Sequence, residues 1–321
     1  MTDSARPPHN IQDVVVNTNA GAQTITSGAA FQAAFATGGV NLTATSHGGA
    51  LTISMGTFTG NANLTTSSGA GAQTIVTGSG NDTVTALTSL GAETITTGSG
   101  NDTVTATTTV GAQTITTGSG NDVVTAIGAA GGQTITTGSG NDVITARVTG
   151  AGVQTITAGS GNDTINASST AGAMHNVITS GANATTHLDT INLGTHANGA
   201  YTLNVGTVAT GAIAANTVIS GAQVGDIIHF TDTATATVQV SSSVQAAISG
   251  ESSLAKAVAY VDALASTLAH TDTVFHYGTN TYVLESVLHG TGTLAAGDGF
   301  IELVGVHTLS SPTAGAVHLM A

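Results

Sequence analysis

Five times between residues 68 and 171 the chain writes the same short string, x-Gly-x-Gly-x-Asp. It first reads Thr77-Gly78-Ser79-Gly80-Asn81-Asp82, and later copies end at Asp102, Asp122, Asp142 and Asp163. Glycine is free of Cβ sterics, so this spacing can turn several backbone carbonyls toward one point. The Asp then adds a carboxylate at that point. The period is 20 residues, with one copy of 21, so stacking the copies places the five Asp in a column. Two carboxylates ~5 Å apart repel by about 3 kcal/mol at an effective dielectric near 20. A bare column is therefore unfavourable, and a chain with 17 acids and only Arg6, Arg147 and Lys256 cannot neutralise it from within. Ca2+ suits the donors on offer, because it takes 6–8 oxygens from carboxylates and carbonyls. The expected ligands are Asp82, Asp102, Asp122, Asp142 and Asp163. Backbone carbonyls at Thr77, Ser79, Thr97, Ser99, Thr117, Ser119, Thr137, Ser139, Ala158 and Ser160 would complete the spheres. An ion lodged between consecutive turns is shared by both, so five turns hold about four ions.

Positioning such turns needs short elements that stack. Each unit carries two alternating runs, such as Thr94-Ile95-Thr96 and Thr103-Val104-Thr105. Alternation sends the central aliphatic inward and the threonines outward. Strands this short bury nothing alone, but copies stacked at ~4.8 Å gain a parallel ladder on both sides. The expected fold is thus all-β dominated, a parallel β-roll or β-solenoid with one coil per unit. Its open ends need caps. The turn opposite the Asp turn holds Gln73, Gln113, Gln133 and Gln154, with one acid, Glu93. Stacked amides can bond one another, so metal is expected along one edge only.

The flanks repeat the strand chemistry without the acidic turn. Upstream these are 21–26, 40–45, 50–55 and 62–67; downstream they are 176–180, 189–193, 201–205 and 216–220. From Gln223 the texture changes. Residues 252–270 place Leu254, Val258, Val261, Leu264 and Leu268 at helical spacing behind Ser252 or Ser253 as N-cap. Residues 273–277 and 281–286 flank Gly278-Thr279-Asn280 as a hairpin, and 299–309 reads as a further strand. The expected domains are degenerate coils over 1–67, calcium-binding roll repeats over 68–171, degenerate coils over 172–222, and a small α+β cap over 223–321.

Composition narrows function. Hydrophobic residues make up 40% but aromatics only 3%, which fits thin layers of small and β-branched side chains rather than a thick core. A formal charge of −14 argues against nucleic acid and anionic membrane surfaces. Cysteine is absent, so thiol chemistry is absent. No Sec-type leader and no membrane-spanning stretch are visible. His175, His187, His196 and His229 lack the paired helical spacing of a zinc protease, and no G-x-S-x-G elbow appears. No enzyme is expected. Asp189 and Asp226 could each bind a further Ca2+ or simply cap a turn.

The turn, read as x-G-x-G-x-D-x-U-x with U aliphatic, resembles the RTX (repeats-in-toxin) calcium-binding nonapeptide, recurring in register over 68–171. The family's first Gly is Thr here, or Ala158 in the last copy. The alternate turn has Gln where the family has Asp. The resemblance implies a Ca2+-dependent parallel β-roll that folds after export. The region 223–321 resembles the C-terminal part of RTX-type S-layer proteins of alphaproteobacteria. That implies type I secretion by an uncleaved C-terminal signal and a secreted, extracellular or cell-surface location. The expected function is a self-associating structural protein forming an S-layer, surface filament or matrix. Expected partners are further copies of itself, the type I machinery and cell-surface polysaccharide, with no nucleic acid and no membrane insertion. The alternative is an ice-binding or adhesive module of the same fold, suggested by the outward Thr rows and the Ser and Asn rows.

Overall fold

The computed structural model describes residues 13–18, 21–28, 39–128, 130–170, 176–181, 188–197, 201–205, 217–230, 236–264, 271–285, 298–313 and 316–320. The chain divides into two units. One is Met1–Ser139 with Arg147–Gly152, and the other is Gly140–Ala146 with Val153–Ala321.

In the first unit the alternating runs form two parallel sheets. One takes the even strands in order: β2 (Gln23–Thr26), β4 (Leu51–Ser54), β6 (Gln73–Val76), β8 (Glu93–Ser99), β10 (Gln113–Ser119) and β12 (Gln133–Ser139). The other takes β1 (Asp13–Thr18), β3 (Val40–Ser46), β5 (Ala62–Ser68), β7 (Thr83–Ser89), β9 (Thr103–Thr108) and β11 (Val123–Gly128). The register is one repeat: Ile95 sits on Ile115 and Ile115 on Ile135, while Val104 sits on Val124. The inward rows Ile75, Ile95, Ile115 and Ile135, and Val84, Val104 and Val124, are at most 1% exposed. Ala86, Ala106 and Ala126 fill the remaining width and are equally buried. Each buried Ile or Val contributes about 1.5–3 kcal/mol, and a coil owns so few that it depends on its neighbours. Thr94, Thr114 and Thr134 face outward and are exposed.

The strands run longer than three residues. β8, β10 and β12 continue through the Gly of the acidic turn to its Ser. The cause is a further ladder bond in each turn, such as the Gly80 N–H donating to the Ser99 carbonyl at 2.8 Å.

β13 (Val143–Val148) carries the same inward pattern, with Ile144 and Ala146 buried. In the second unit β14 (Gln154–Ser160), β16 (Asn176–Thr179) and β18 (Tyr201–Val205) follow one another in one sheet. β15 (Thr164–Ser169), β17 (Asp189–Leu193) and β19 (Thr217–Ser220) do so in the other. β20 (Ile227–Phe230) lies parallel on β18, with Leu203 opposite Ile228. β24 (Gly299–Leu303) lies parallel on β19, so the C-terminal segment supplies the next rung. Beyond it the pairing turns antiparallel through β23 (Asn280–Glu285) and β22 (Thr271–Tyr277), and β21 (Ala236–Gln239) forms the edge. β26 (Ala316–Met320) covers β20 antiparallel and is itself paired by β25 (Thr308–Thr313).

The expected hairpin turns at Gly278, whose φ is +62°. The expected helix is α2 (Leu254–Leu264), with the Ser253 hydroxyl accepting from the Lys256 N–H; residues 265–270 lie outside the described residues. A preceding helix, α1 (Ser242–Ser249), was not legible in the sequence and is capped by Ser241. Ile248, Val258 and Val261 of these helices pack on Phe275, Tyr282, Leu284 and Phe300. An apolar layer thus covers this antiparallel part of the sheet.

Candidate metal centre

The acidic turns close on one another through glycine. In one turn Gly98 has φ +113° and Gly100 has φ +122°. A Cβ on Gly100 would sit 2.0 Å from the Gly80 carbonyl oxygen. The glycine spacing therefore does more than aim carbonyls: it lets one coil touch the next.

The five Asp are each 1% exposed. In the first unit the Asp82 N–H donates to Asp102 Oδ1, and the Asp102 N–H to Asp122 Oδ1, both at 2.8 Å. In the second unit the Asp142 N–H donates to Asp163 Oδ1 at 2.9 Å. The carboxylates of Asp102, Asp122 and Asp163 thus reach one coil upstream. The exposed Asn row reaches the other way: the Asn101 N–H donates to Asn81 Oδ1 at 2.8 Å, and the Asn121 N–H to Asn101 Oδ1 at 2.7 Å.

In three of these turns a carboxylate oxygen is left over. Oδ2 of Asp82, Asp102 and Asp163 is buried with no hydrogen-bond partner. Burial raises the Asp82 carboxyl above its usual range, against the lowering influence of the Thr77 hydroxyl and the Ala62 and Gly78 N–H groups. Burial likewise raises Asp102, helped by the Asp82 charge and opposed by the Thr97 hydroxyl and Asp82 N–H. Asp163 is pushed up to about 7 by burial, with the charges of Asp189 and Asp142 adding to it and the Asp142 N–H opposing. Orphaned acceptors and mutually repelling acids are what a cation would satisfy.

The carbonyl-bearing positions line the same turns. Thr77, Thr97, Thr117 and Thr137 are buried, and the Thr77 hydroxyl donates to the Thr97 carbonyl at 2.9 Å. Thr97 and Thr117 repeat this bond to Thr117 and Thr137 at 3.3 Å. Ala158 takes the same place, fully buried, without a hydroxyl. Ser79 is half-buried, and Ser99, Ser119, Ser139 and Ser160 are exposed. The last four carbonyls each accept a Gly N–H at 2.8 Å, and a carbonyl keeps a second lone pair for another partner. Among the described residues no three His, Cys, Asp or Glu side chains group as a metal site.

The opposite edge has different chemistry. Gln73, Glu93, Gln113, Gln133 and Gln154 are at most 1% exposed. The amides bond one another as expected: Gln133 Nε2 donates to Gln113 Oε1 at 2.8 Å, and Gln113 Nε2 to Glu93 Oε2 at 3.1 Å. Glycines stack here too. A Cβ on Gly111 would lie 1.8 Å from the Gly91 carbonyl oxygen. The recurrent Gly ahead of each Gln or Glu carried that signal in the sequence.

The register assigns the doubtful acids to different edges. Asp189 is fully buried and extends the Asp series, its Oδ1 accepting the Asp163 N–H at 3.0 Å. The repeated Asp-Thr-Ile-Asn at 163–166 and 189–192 was the signal for it. Asp226 instead continues the amide edge after Gln154, Asn176 and Tyr201. Its oxygens are taken by His196 Nε2 at 3.0 Å, the Gln223 N–H at 2.8 Å and the Tyr201 N–H at 3.1 Å, so it caps a turn. Burial lowers the His196 ring, but its bonds to Asp226 and the Gly194 carbonyl outweigh that and raise it. His229 is half-buried on β20, and His175 and His187 lie outside the described residues.

A turn missed in the sequence ends the Asp series upstream. Ala62 stands where Asp82 stands one coil later, and its N–H donates to Asp82 Oδ1 at 2.7 Å. Phe58, 1% exposed, replaces the first turn glycine, and its carbonyl accepts the Ser79 N–H. Gly60-Asn61, one period before Gly80-Asn81, was the available clue.

Residues 67–104, 107–126, 127–147 and 148–169 match the RTX calcium-binding nonapeptide repeat, in four copies. No curated protein matches the chain. The matched segments hold all five acidic turns, and the strands they join form parallel sheets at a one-repeat register. Residues 67–169 are thus a block of RTX calcium-binding nonapeptide repeats folded as a parallel β-roll.

Proposed function

We propose that this is a secreted structural protein that takes up Ca2+ along one edge of its roll and self-associates into a surface layer, filament or matrix. The observation that carries the calcium reading is the buried Oδ2 left without a partner on Asp82, Asp102 and Asp163. In this reading Asp82, Asp102, Asp122, Asp142 and Asp163 are the carboxylate ligands. The turn carbonyls of Thr77, Ser79 and their equivalents complete each sphere. Bound Ca2+ supplies positive charge, not reaction chemistry, and couples folding to the free ion.

Export follows from the same chemistry. A chain of net charge −14 stays extended where Ca2+ is scarce and folds where it is plentiful. No helix among the described residues is long and apolar enough to cross a membrane. Residues 223–321 are the proposed type I signal and cap. Cell-surface polysaccharide is the proposed anchor, and the role is non-enzymatic. The in-register exposed row Thr94, Thr114 and Thr134 favours, as second reading, an ice-binding or adhesive face.

The test is calcium titration of chelator-stripped protein, followed by heat and by far-ultraviolet circular dichroism. Uptake with a gain of β signal is expected; unchanged β signal after EGTA would sink the calcium reading. Electron microscopy of the loaded protein separately tests assembly, where monomers across a wide concentration range would count against it. Thermal hysteresis tests the ice face.

A further inference from the structure

Glu93 is the one acid at the amide-edge position of the five aligned repeats, which otherwise hold Gln73, Gln113, Gln133 and Gln154. It is 1% exposed. Gln133 donates one coil upstream to Gln113, and Gln113 one coil upstream to Glu93 Oε2. Each of these rungs hands a proton donor to the rung before it. A carboxylate has none to hand on, whereas a carboxylic acid has one, in the place a Gln amide would put it. The donor chain stops here: Glu93 Oε1 and Gln73 Nε2 are both buried without a partner. Gln73 Oε1 takes only the Thr66 hydroxyl, at 2.6 Å, and retains a lone pair.

Nothing nearby balances an ionised Glu93. β6 and β10 flank it in the sheet, and β7 and β9 precede and follow it in the chain. Between residues 48 and 121 the other titratable side chains are Asp82 and Asp102, both on the opposite edge and both acidic. An unpaired buried carboxylate is strongly disfavoured.

We propose that Glu93 is a proton-operated rung. Protonated, it completes the amide column and lets the coils of residues 71–90 and 91–110 close fully. Ionised, it leaves a bare charge between them and loosens that one junction. This stands whether or not the opposite edge binds calcium. Burial holds the carboxyl up at about 7 from an ordinary 4.5, against the Gln113 bond that lowers it. An acid raised by folding adds stability that is full below its unfolded value and fades as pH climbs through its folded value. The window therefore runs from 4.5 to about 7. Above it the folding equilibrium is weaker by roughly a hundredfold.

The experiment compares the full chain with Glu93→Gln, the residue of the other four repeats. Both are unfolded in urea with saturating calcium, from about pH 5 to about pH 9. The two should be close at the acid end, with Glu93→Gln gaining roughly a hundredfold in folding equilibrium across neutrality. A difference that does not vary with pH overturns the proposal. Infrared spectra give an independent reading on the wild type. The wild-type minus Glu93→Gln difference should show a protonated-carboxyl band in mild acid that disappears in alkali. Absence of that band in mild acid also overturns the proposal.

Discussion

The two edges of one coil face the same task and solve it with unlike chemistry. Both bring glycine against glycine, Gly100 on Gly80 at one edge and Gly111 on Gly91 at the other. Both hang a buried polar side chain on the next coil. At the amide edge donors and acceptors come in one side chain, so Gln113 accepts from Gln133 and donates to Glu93. At the Asp edge each carboxylate brings acceptors only, and one backbone N–H answers one of them. The remainder, Oδ2, has no protein donor at Asp82 or Asp102. Between Gln113 and Gln133 the amide edge closes by its own resources, and the acidic edge waits for a charge from solution. The difference teaches that changing one residue type per repeat, Gln for Asp, decides whether a stack is self-sufficient or conditional.

The largest expected effect removes the external charge. EGTA should abolish the cooperative β signal in circular dichroism; a roll indifferent to chelation would make the two edges equivalent after all. Next is Gly100→Ala, whose Cβ would meet the Gly80 carbonyl at 2.0 Å in a left-handed backbone. A loss of about 3 kcal/mol or more is expected in urea unfolding, and Gly111→Ala at the other edge should lose stability through the same close contact, without the left-handed strain. Asp102→Ala and Gln113→Ala then separate them. The first should lower the number of bound calcium ions measured by elemental analysis. The second should leave that number intact and cost about 1–3 kcal/mol. Equal ion counts in the two variants would contradict the one-edge assignment.

A smaller effect is the pH response of the metal-free chain. Asp163 is raised from 3.8 to about 7 by burial and neighbouring acids. Its neutral form is thus the one the fold prefers. The stability it lends is complete below 3.8 and is lost as pH rises through about 7. In chelator, the residual β signal should weaken as pH rises over that interval, and added calcium should reverse the slope. The smallest change extends the acidic edge. Phe58→Gly with Ala62→Asp restores the motif one coil upstream, and ion uptake should rise rather than fall.

Much of this was legible because the repeat writes each rung at the same phase. Ile95, Ile115 and Ile135 announce a buried row, and the five Asp announce a column. The flanking strands were readable by alternation alone. Where the period drifts, sequence loses the phase and only register restores it. Asp189 follows Asp163 by 26 residues, so its place in the Asp series depended on pairing. Asp226 looked like its equal yet stands on the other edge, bonded to His196. Phe58 and Ala62 hid a degenerate turn because both signature residues are replaced. Helix α1, eight residues long, was too short for its period to stand out.

The one-repeat register has a consequence for how such a chain can change. The side chains that bond across these junctions link a residue to its own counterpart, as Gln133 to Gln113 or Asp102 to Asp82. A duplicated or deleted whole repeat therefore meets neighbours that already fit it, and recombination between copies costs no new complementarity. Single-residue insertions are confined to the turns, as the 21-residue copy illustrates by keeping Gln154 and Asp163 at their edges. Gene-level changes in multiples of one repeat are the permitted steps, and the count of repeats is the trait left open to selection.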